Sequence, residues 1–474
     1  MTTRIGVIGT GYLGTTHAAC MAELGFEVLG VDLDRPKVDL LSRGVVPFSE
    51  PGLGELVARH VTSGRLRFTT DLAEVARFAD VVFVCVGTPQ LATGLGADLT
   101  AVFSVVEGLA CRLTGDTLVV GKSTVPVGTA ERLAGRLAAL APPGVAATLA
   151  WNPEFLREGH AVQDTLRPDR LVFGVPSPAA EQVLRKVFAG PIAAGVRVRV
   201  TDLPTAELAK VAANAFLATK ISFINGIAEV SEAAGADVAA LADVLGDDPR
   251  IGRRFLDAGV GFGGGCLPKD IRAFRARAAE LGAESVAGLL GEVDATNLRA
   301  RQRCVDQAAA LCGHTLRGRR VGVLGAAFKP LSDDVRDSPA LHVAGQLHAQ
   351  GAEVRVYDPE AANNARAVFP ALTYVASAAT AVTGADLVLH LTDWPEFADL
   401  DPHAVGSLVR HRRIIDGRNR LDADRWRHAG WAFHGLGRGP APTTPAPGTA
   451  APGLVPVAGP AAVPDLAGRL FERA

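Results

Sequence analysis

The chain lacks most of the features that mark disulfide-bonded, metal-binding, membrane or nucleic-acid-binding proteins. Its six cysteines are scattered and include no Cys-x-x-Cys pair, which argues against a disulfide framework or a zinc site. No uninterrupted apolar run reaches the roughly 18 residues needed to span a bilayer. Lys and Arg number 48 against 50 Asp and Glu, so the formal net charge of −2 indicates neither nucleic acid nor an anionic membrane as a partner.

The N-terminal residues also lack the pattern of a secretory signal. Arg4-Ile5-Gly6-Val7-Ile8-Gly9 has neither the longer apolar core nor the small-residue cleavage site of such a signal, and it predicts a β-strand. Together with the unpaired spacing of the cysteines, this makes a reducing cytoplasm the expected location.

Short apolar runs rich in β-branched residues alternate with helical patterns through the first 200 residues. The runs lie at residues 4–8, 26–31, 81–86, 118–120, 147–150 and 171–175. Each is apolar throughout rather than alternating, as expected for a strand that is covered on both faces. This alternation predicts an α/β fold with a parallel, Rossmann-type sheet.

The pattern changes after Asp202. Residues 205–232 carry apolar and small side chains at helical spacing and predict one long helix, and further helical segments follow to about residue 311. A second α/β region has apolar runs at residues 319–325, 353–357, 385–391 and 413–416. The expected parts are therefore a Rossmann-type domain (1–202), a central all-helical domain (203–312), a second, Rossmann-like domain (313–438) and a Pro/Ala-rich tail (439–474) that is predicted to be disordered.

A glycine-rich turn, Gly9-Thr10-Gly11-Tyr12-Leu13-Gly14, follows the first predicted strand. Gly9 permits the tight turn, Gly11 lets the backbone approach a pyrophosphate, and Gly14 lets the next helix pack closely. The N-terminus of that helix offers free N–H groups to the anion. Such turns also occur without a ligand, but this one joins a strand to a helix, as a dinucleotide site requires.

An acidic residue ends the second predicted strand. Asp32 lies at the distance expected for a carboxylate that accepts hydrogen bonds from the ribose hydroxyls. A carboxylate there repels the additional phosphate of NADP, so NAD is the expected cofactor, although the nearby Arg35 leaves NADP open.

Two polar loops leave later strands of the same predicted sheet, at the end where open α/β sheets bind ligands. They are Val86-Gly87-Thr88-Pro89 and Lys122-Ser123-Thr124-Val125-Pro126-Val127-Gly128-Thr129. The hydroxyls of Thr88 and Thr124 suit ribose, phosphate or a bound water, and the same residues suit a turn or a helix cap equally well.

The segment Gly261-Phe262-Gly263-Gly264-Gly265-Cys266-Leu267-Pro268-Lys269-Asp270 carries the most informative chemistry. Its four glycines allow the backbone to wrap a ligand, and Leu-Pro predicts the first turn of a helix. Cys266 would then lie at a helix N-terminus beside the cation of Lys269, where the pKa of a thiol is lowered. From these residues alone, a thiolate nucleophile and a buried structural cysteine both stay open.

This segment resembles the active-site signature of the UDP-glucose/GDP-mannose dehydrogenase family. Other motifs of that family follow in its order between about residues 4 and 436. They are Asn152-Pro153-Glu154-Phe155-Leu156-Arg157-Glu158-Gly159, Glu207-Leu208-Ala209-Lys210 with Asn214, Arg250-Ile251-Gly252, Phe328-Lys329, Asp333-Asp334-Val335-Arg336-Asp337-Ser338 and Asp416-Gly417-Arg418-Asn419. A single motif can arise by chance, whereas an ordered series very rarely does.

The resemblance implies an enzyme that uses two NAD⁺ to oxidise the C6 alcohol of a nucleotide sugar, UDP-glucose being the favoured substrate, to a carboxylate. Cys266 would attack the aldehyde formed first, and the resulting thiohemiacetal would be oxidised to a thioester. Lys210 and Asn214 would stabilise and orient the oxyanion. Asp270, with Thr124, would activate the water that hydrolyses the thioester.

Two carboxylates of the same motifs are candidates for proton transfer. The resemblance makes Glu154 the acid–base group and Glu158 a weaker candidate. Because they are four residues apart, both equally suit an ordinary helix face, and Lys210 equally suits an ion pair with Glu207.

The resemblance also assigns the binding residues and the partners. The implied cofactor contacts are Gly9, Gly11, Tyr12, Leu13, Gly14, Asp32, Thr88, Thr124, Glu158, Lys269 and Arg336. The implied substrate contacts are Glu154, Phe155, Leu156, Lys210, Asn214, Arg250, Phe255, Gly263, Phe328, Lys329 and Arg418. Arg250 is expected to reach the substrate site of a neighbouring subunit, which makes a homodimer the smallest competent unit. No metal, nucleic acid or membrane is expected.

The second Rossmann-like region has Gly325-Ala326-Ala327-Phe328-Lys329 in place of the glycine-rich turn, so it is not expected to bind a second NAD in the same way. The resemblance implies that it holds the diphosphate of the substrate, with Lys329 and Arg418 as cationic contacts. Arg336 equally suits a structural ion pair with one of the acids at positions 333, 334 and 337.

Three other interpretations stay open at this point. One keeps the mechanism but changes the sugar to GDP-mannose or an N-acetylated UDP-hexosamine. A second is a two-electron hydroxyacid dehydrogenase, which would need neither Cys266 nor a third domain. The third is an NAD-binding redox sensor that uses Cys266 as a reactive thiol, and it leaves Lys210, Asn214 and Asp270 without a joint purpose.

Overall fold

The computed structural model describes residues 3–438, so the predicted Pro/Ala-rich tail lies outside the described residues. The first half of this range forms an eight-stranded sheet in the order β3-β2-β1-β4-β5-β6-β7-β8. Its strands are β1 (Arg4–Ile8), β2 (Glu27–Val31), β3 (Leu66–Thr69), β4 (Val81–Val84), β5 (Thr117–Gly121), β6 (Ala147–Trp151), β7 (Arg170–Gly174) and β8 (Arg197–Thr201). The helices between them are α1 (Tyr12–Glu23), α2 (Arg35–Ser42), α3 (Leu53–Thr62), α4 (Leu72–Phe78), α5 (Thr100–Ala110), α6 (Thr129–Leu140), α7 (Ala161–Leu166), α8 (Pro178–Val187) and α9 (Ala189–Ala193).

The predicted α/β class is confirmed, and one strand pair departs from the parallel pattern. Strand β4 is buried at every position, as a strand covered on both faces must be. Strand β7 pairs antiparallel with β6, through Trp151 and Gly174, while the other neighbours in the sheet are parallel. The sequence analysis did not predict β3 and β8, which are the two edge strands. In β8, Arg197 and Arg199 alternate with valines and leave the strand largely exposed, so it lacks a continuous apolar run.

Four helices form the centre of the chain: α10 (Leu203–Ala234), α11 (Val238–Asp247), α12 (Leu267–Glu280) and α13 (Glu284–Leu311). The predicted long helix is confirmed as α10. It begins where the Asp202 carboxylate accepts the N–H of Thr205 at 2.7 Å, and it ends at Gly235, whose φ is +73°. By length and mean hydropathy (1.3) α10 could cross a membrane, but 44% of that apolar segment is buried, and the helix packs against α12 and α13.

A second sheet follows, with six parallel strands in the order β11-β10-β9-β12-β13-β14. Its strands are β9 (Arg320–Leu324), β10 (Glu353–Tyr357), β11 (Thr373–Tyr374), β12 (Leu387–His390), β13 (Arg413–Asp416) and β14 (Ala432–Gly435), and its helices are α14 (Pro339–Ala349), α15 (Ala362–Val368), α16 (Ala378–Val382), α17 (Pro395–Ala398), α18 (Pro402–Leu408) and α19 (Ala423–His428). The predicted second Rossmann-like sheet is thus confirmed. The edge strands β11 and β14 were not predicted, since the first has only two residues and the second alternates buried and exposed positions.

Candidate active site

The glycine-rich turn has the space that a dinucleotide needs. A Cβ on Gly14 would lie 1.7 Å from the carbonyl oxygen of Gly9, so only glycine lets α1 pack against the turn. A Cβ on Gly11 would meet no atom within 4 Å, which leaves the backbone open to a ligand. Gly11 is also the N-cap of α1, and no side chain caps the helix, so the N–H groups of its first turn are available to an anion. These features fit the pyrophosphate of NAD.

Asp32 lies at the end of β2, directly beside this turn. Its Oδ2 accepts the N–H of Thr10 at 2.9 Å and the ammonium of Lys37 at 3.1 Å. Burial alone would raise the pKa of Asp32, but the hydrogen bond from the Asp34 N–H and the contacts with Lys37 outweigh burial and lower it. The carboxylate is therefore ionised, as a ribose acceptor must be. The sequence pointed to Arg35 beside this site and not to Lys37, which lies two residues further along α2.

A buried carboxylate that the sequence analysis missed connects the turn to a second loop. Glu50 accepts the hydroxyl of Tyr12, the N–H of Gly159 at 2.6 Å and the N–H of Ala161 at 2.7 Å. Burial, with the bond to Glu50, raises the pKa of Tyr12 far above its ordinary value, so this hydroxyl stays protonated and donates. The predicted cofactor contact Tyr12 is thereby tied to the loop that carries Glu158.

Cys266 is the N-cap of α12, as its sequence context predicts, and the glycine loop in front of it is held by the segment between β9 and α14. Arg336 accepts the N–H of Gly264 through its carbonyl oxygen at 2.8 Å. A Cβ on Gly264 would lie 2.7 Å from the ring of Phe328, and the φ of this residue is +85°. A Cβ on Gly263 would clash with the backbone of Asp337. The glycines therefore allow the loop in front of Cys266 to lie against the segment between β9 and α14.

The expected lowering of the Cys266 pKa is wrong. Part of Cys266 is exposed to solvent, yet protein atoms surround its sulfur closely enough that burial raises its pKa to about 12. Glu154 raises it further, and the ammonium of Lys210 only partly compensates. The helix N-terminus and Lys269 were expected to lower this pKa, but desolvation and the nearby carboxylates outweigh them. The resting group is a thiol.

Four groups predicted to carry the chemistry form two buried pairs near Cys266. Lys210 Nζ lies 2.9 Å from Glu154 Oε1, and Asn214 Nδ2 donates to Asp270 Oδ2 at 2.7 Å. Burial would lower the pKa of Lys210, but Glu154, Cys266 and Asp270 outweigh burial and raise it. Burial would likewise raise the pKa of Glu154, and Lys210 outweighs it and lowers that pKa. Lys210 is thus an ammonium and Glu154 a carboxylate.

Both structural alternatives weighed for these residues are wrong. Glu154 and Glu158 lie on a loop between β6 and α7 and not on a helix face. Glu207, the other possible partner of Lys210, instead accepts the N–H groups of Gly128 and Ala130 at 2.7 and 2.6 Å, at the first turn of α6.

A narrow cleft opens beside these pairs and is lined by predicted residues from two parts of the chain. Its lining includes Thr88, Thr124, Lys269 and Asp270. Thr88 donates its hydroxyl to the carbonyl oxygen of Thr124 at 2.8 Å, and Lys269 contacts the Asp270 carboxylate. The polar loops after β4 and β5 therefore face the start of α12. This arrangement suits a site in which cofactor and water lie next to each other. Among residues 3–438 no cluster of His, Cys, Asp and Glu could hold a metal ion.

Glu158 lies where the first and second sheets meet. Lys329 donates to its carbonyl oxygen at 2.8 Å, and Arg336 Nη2 lies 3.3 Å from its carboxylate. Burial, with repulsion from Asp334, raises the pKa of Glu158 to about 7, although Lys329 and Arg336 oppose the shift. Arg336 also binds Asp334 at 2.6 Å, which confirms one of the structural ion pairs considered for it.

The remaining predicted substrate contacts divide into buried and exposed groups. Arg418 donates to the carbonyl oxygens of Leu391, Gly261 and Phe328 at 2.7, 3.1 and 3.1 Å, so much of its donor capacity holds the site together. Phe155 stacks under the guanidinium of Arg170, with 3.9 Å between the guanidinium carbon and the ring centroid.

Arg250 and Phe255 lie on the surface of the described chain. The Arg250 side chain is 88% exposed and binds Asp248. Phe255 is exposed with a φ of +66°, a strained value for an aromatic residue. The ion pair of Arg250 is with Asp248 and not with either pair around Cys266.

The second sheet has no free dinucleotide turn. Asp358 ends β10 as Asp32 ends β2, but its carboxylate accepts the N–H groups of Ala326 and Ala327 and the indole N–H of Trp394 at 3.0 Å. The indole occupies an acceptor site that a ribose hydroxyl would need. Asp358 is thus bonded to the turn after β9 and to Trp394.

Comparisons with known proteins cover most of the chain. Three family models match in order: the NAD binding domain of the UDP-glucose/GDP-mannose dehydrogenase family at residues 3–191, its central domain at 204–299 and its UDP binding domain at 322–423. The chain is 41% identical over 439 residues to UDP-glucose 6-dehydrogenase TuaD of Bacillus subtilis, covering 92% of this chain and 93% of that protein. It is 40% identical over 437 residues to UDP-glucose 6-dehydrogenase of Rhizobium meliloti, covering 92% and 99%.

A solved structure agrees with this assignment. A UDP-glucose dehydrogenase from the archaeon Pyrobaculum islandicum superposes with a TM-score of 0.85 at 38% identity, covering 92% of this chain and 98% of that one. The chain therefore belongs to the UDP-glucose/GDP-mannose dehydrogenase family, whose N-terminal domain binds NAD.

Proposed function

We propose that this enzyme oxidises UDP-glucose to UDP-glucuronate with two NAD⁺ and one water, releasing two NADH and three protons. The observation that carries the proposal is the placement of one cysteine beside both a buried ammonium–carboxylate pair and a buried amide–carboxylate pair. An alcohol dehydrogenase that stops at the aldehyde needs no nucleophile. A route to the carboxylate needs one, and Cys266 is suitably placed.

NAD⁺, when bound, accepts the hydride of each oxidation. The turn from Gly9 to Gly14, including Tyr12 and Leu13, holds its pyrophosphate, and Asp32 accepts from its ribose. Further proposed contacts are Thr88, Thr124, Glu158, Lys269 and Arg336.

In the first oxidation the hydroxyl at C6 loses its proton as the hydride leaves the same carbon. Glu154, an ionised carboxylate, accepts that proton. Lys210, kept charged by its neighbours, stabilises the developing oxyanion, and the Asn214 amide orients it. The product is an aldehyde, still held by the nucleotide.

In the second half of the reaction the Cys266 sulfur bonds to the aldehyde carbon. The S–H proton ends on the former carbonyl oxygen, so no free thiolate need accumulate, which suits a thiol whose pKa is about 12. Loss of a second hydride and of the hydroxyl proton gives a thioester. Asp270, with Thr124, then positions the water that cleaves the C–S bond and regenerates the thiol.

The nucleotide end of the substrate is assigned to the neighbourhood of Lys329 and Arg418, beside the glycine loop. Lys329 and Arg418 provide positive charge for the diphosphate. Arg418 would donate through the N–H groups that do not bind carbonyl oxygens. The proposed contacts around them are Phe155, Leu156, Phe255, Gly263 and Phe328. We assign cofactor binding to residues 1–202, the subunit contact to 203–312 and nucleotide binding to 313–438.

The proposed second subunit rests on one face of α10. Phe216, Phe223 and Val230 recur every seven residues and are 66%, 53% and 61% exposed. Such an apolar stripe on a helix is typical of a surface that a second copy covers. Arg250 would then reach the substrate of the neighbouring copy. Phe216→Glu should yield monomers in sedimentation experiments, and an unchanged dimer would contradict this surface.

The test of function is the yield of NADH per nucleotide sugar. With limiting UDP-glucose we expect two NADH per sugar, and a panel with GDP-mannose and N-acetylated UDP-hexosamines ranks the alternatives. Cys266→Ser should not complete the second oxidation at a normal rate, whereas Cys111→Ser, at an exposed cysteine outside the site, serves as the matched control. One NADH per sugar, with accumulating aldehyde or ketone, would overturn the four-electron reaction and favour a two-electron dehydrogenase.

The six cysteines, all within the described residues, form no disulfide. This supports the proposed location in a reducing compartment, the cytoplasm.

A further inference from the structure

Lys122 is a buried cation that the proposed mechanism does not use. It directly follows β5 and is only 7% exposed. Its ammonium donates to Asn152 Oδ1 at 2.9 Å and lies 3.5 Å from the carbonyl oxygen of the same residue. Within the described range, no carboxylate oxygen lies within 4.0 Å of it. Burial lowers the pKa of Lys122, and the nearby Glu154 opposes that shift. Since a buried charge without a counter-ion is costly, its retention calls for a physical reason.

The first reason is geometric. The Asn152 N–H donates to the carbonyl oxygen of Gly121 at 2.8 Å, and its side-chain amide donates to that of Val172 at 3.0 Å. Lys122 completes this set by donating to the side-chain oxygen of Asn152. Glu154 follows two residues later, so these bonds fix the start of the loop that presents its carboxylate.

The second reason is electrostatic. The titratable groups that face Lys122 are His17 on α1, Cys85 after β4, Glu154 on its loop and Lys210 on α10. Burial and the Lys122 charge hold the pKa of His17 well below its usual range, and burial raises the pKa of Cys85 to about 12. Both groups are therefore neutral near pH 7. Of these four groups, Glu154 is the anion that the charge of Lys122 can stabilise.

We propose that Lys122 is a positioning residue for Glu154: its bonds to Asn152 hold the loop, and its charge keeps Glu154 ionised beside Lys210. The inference rests on the proposed function, because it concerns the proton acceptor of the first oxidation. Lys122 touches neither Lys210 nor Glu154 directly, so its effect must appear in the pH dependence of the reaction and not only in its rate.

The test compares pH profiles of kcat/KM for neutral and charged replacements. Lys122→Met and Lys122→Gln remove the cation, which raises the pKa of Glu154. The acid limb, the part of the profile in which kcat/KM falls at low pH, should then move to higher pH by about one unit. Lys122→Gln retains a donor for Asn152 and so separates the charge from the hydrogen bond. Lys122→Arg keeps the charge and should leave the limb in place, whatever its effect on kcat. Lys186→Met, at an exposed lysine of α8, is the matched control.

A fourth variant protects the test against misfolding. Asn152→Asp places an anion against Lys122, which keeps a paired buried charge and offsets its field, so the limb should again move upward. Folded variants that bind NAD normally but show an unmoved limb would overturn the role of Lys122. If the wild type fails to oxidise any nucleotide sugar, both this inference and the proposed function fall. An active wild type with unmoved limbs in the variants overturns the inference alone.

Discussion

The surroundings of Cys266 predict that its thiol reacts slowly with alkylating reagents when no substrate or cofactor is added. With a pKa of about 12, a fraction of about 10⁻⁵ of the thiol is ionised at pH 7, whereas an unperturbed thiol with a pKa of about 8.5 is about 3% ionised. Alkylation requires the thiolate, so iodoacetamide should modify Cys266 roughly a thousandfold more slowly than a free thiol. The rate should rise about tenfold per pH unit from pH 7 to 10, without a plateau.

The assay needs a background without a competing thiol. Cys111 is the other exposed cysteine, and the remaining four are buried, so Cys111→Ser isolates the signal and the double variant with Cys266→Ser measures the residual rate. Lys210→Met removes the cation that opposes the shift, and we expect at least a further tenfold loss of reactivity at each pH. A plateau below about pH 9 in the Cys111→Ser protein would show a thiolate already formed and would refute the argument that desolvation dominates at Cys266.

Two further predictions follow from hydrogen bonds of buried carboxylates. Asp32→Asn should weaken NAD about tenfold, since it replaces a charged acceptor with a neutral one. It should also improve the use of NADP, because it removes the repulsion between the Asp32 carboxylate and the additional phosphate and frees the Lys37 ammonium. The ratio of kcat/KM for the two cofactors measures this, and an unchanged ratio would contradict it. Glu207→Ala removes the acceptor for the first turn of α6 and should cost about 1–3 kcal/mol of stability, seen as a lower thermal midpoint. Glu131→Ala, at an exposed position of the same turn, should leave the midpoint in place.

The sequence predicted best where one physical requirement dominates. The wholly apolar run at β4 predicted that strand because a strand covered on both faces leaves no polar position. Residues 205–232 predicted α10 because apolar and small side chains recur there with the period of a helix. Pro268 predicted the start of α12, and hence the place of Cys266, because proline is tolerated in the first turn of a helix.

The features that the sequence did not predict depend on solvent exposure or on contacts between residues that are distant in sequence. The edge strand β8 has no apolar signature, because one of its sides faces solvent. Glu50 lies more than 100 residues from the Gly159 and Ala161 N–H groups that it accepts, and no local pattern marks it. The pKa of Cys266 was predicted with the wrong sign, because the helix start is visible in the sequence whereas the carboxylate of Glu154, brought in from another loop, is not.

The chain just before the glycine loop is held by residues near the C-terminal end of the second sheet. These contacts determine when the catalytic centre can form during synthesis. The Gly417 carbonyl accepts the N–H of Val260 at 2.9 Å, and the Asn419 amide donates to the carbonyl of Ala258 at 3.0 Å. During synthesis, Cys266 therefore leaves the ribosome some 150 residues before the chain that secures its loop. A fragment ending at residue 312 would contain every group assigned to the oxidation and still lack the supports that bring the sulfur to the sugar.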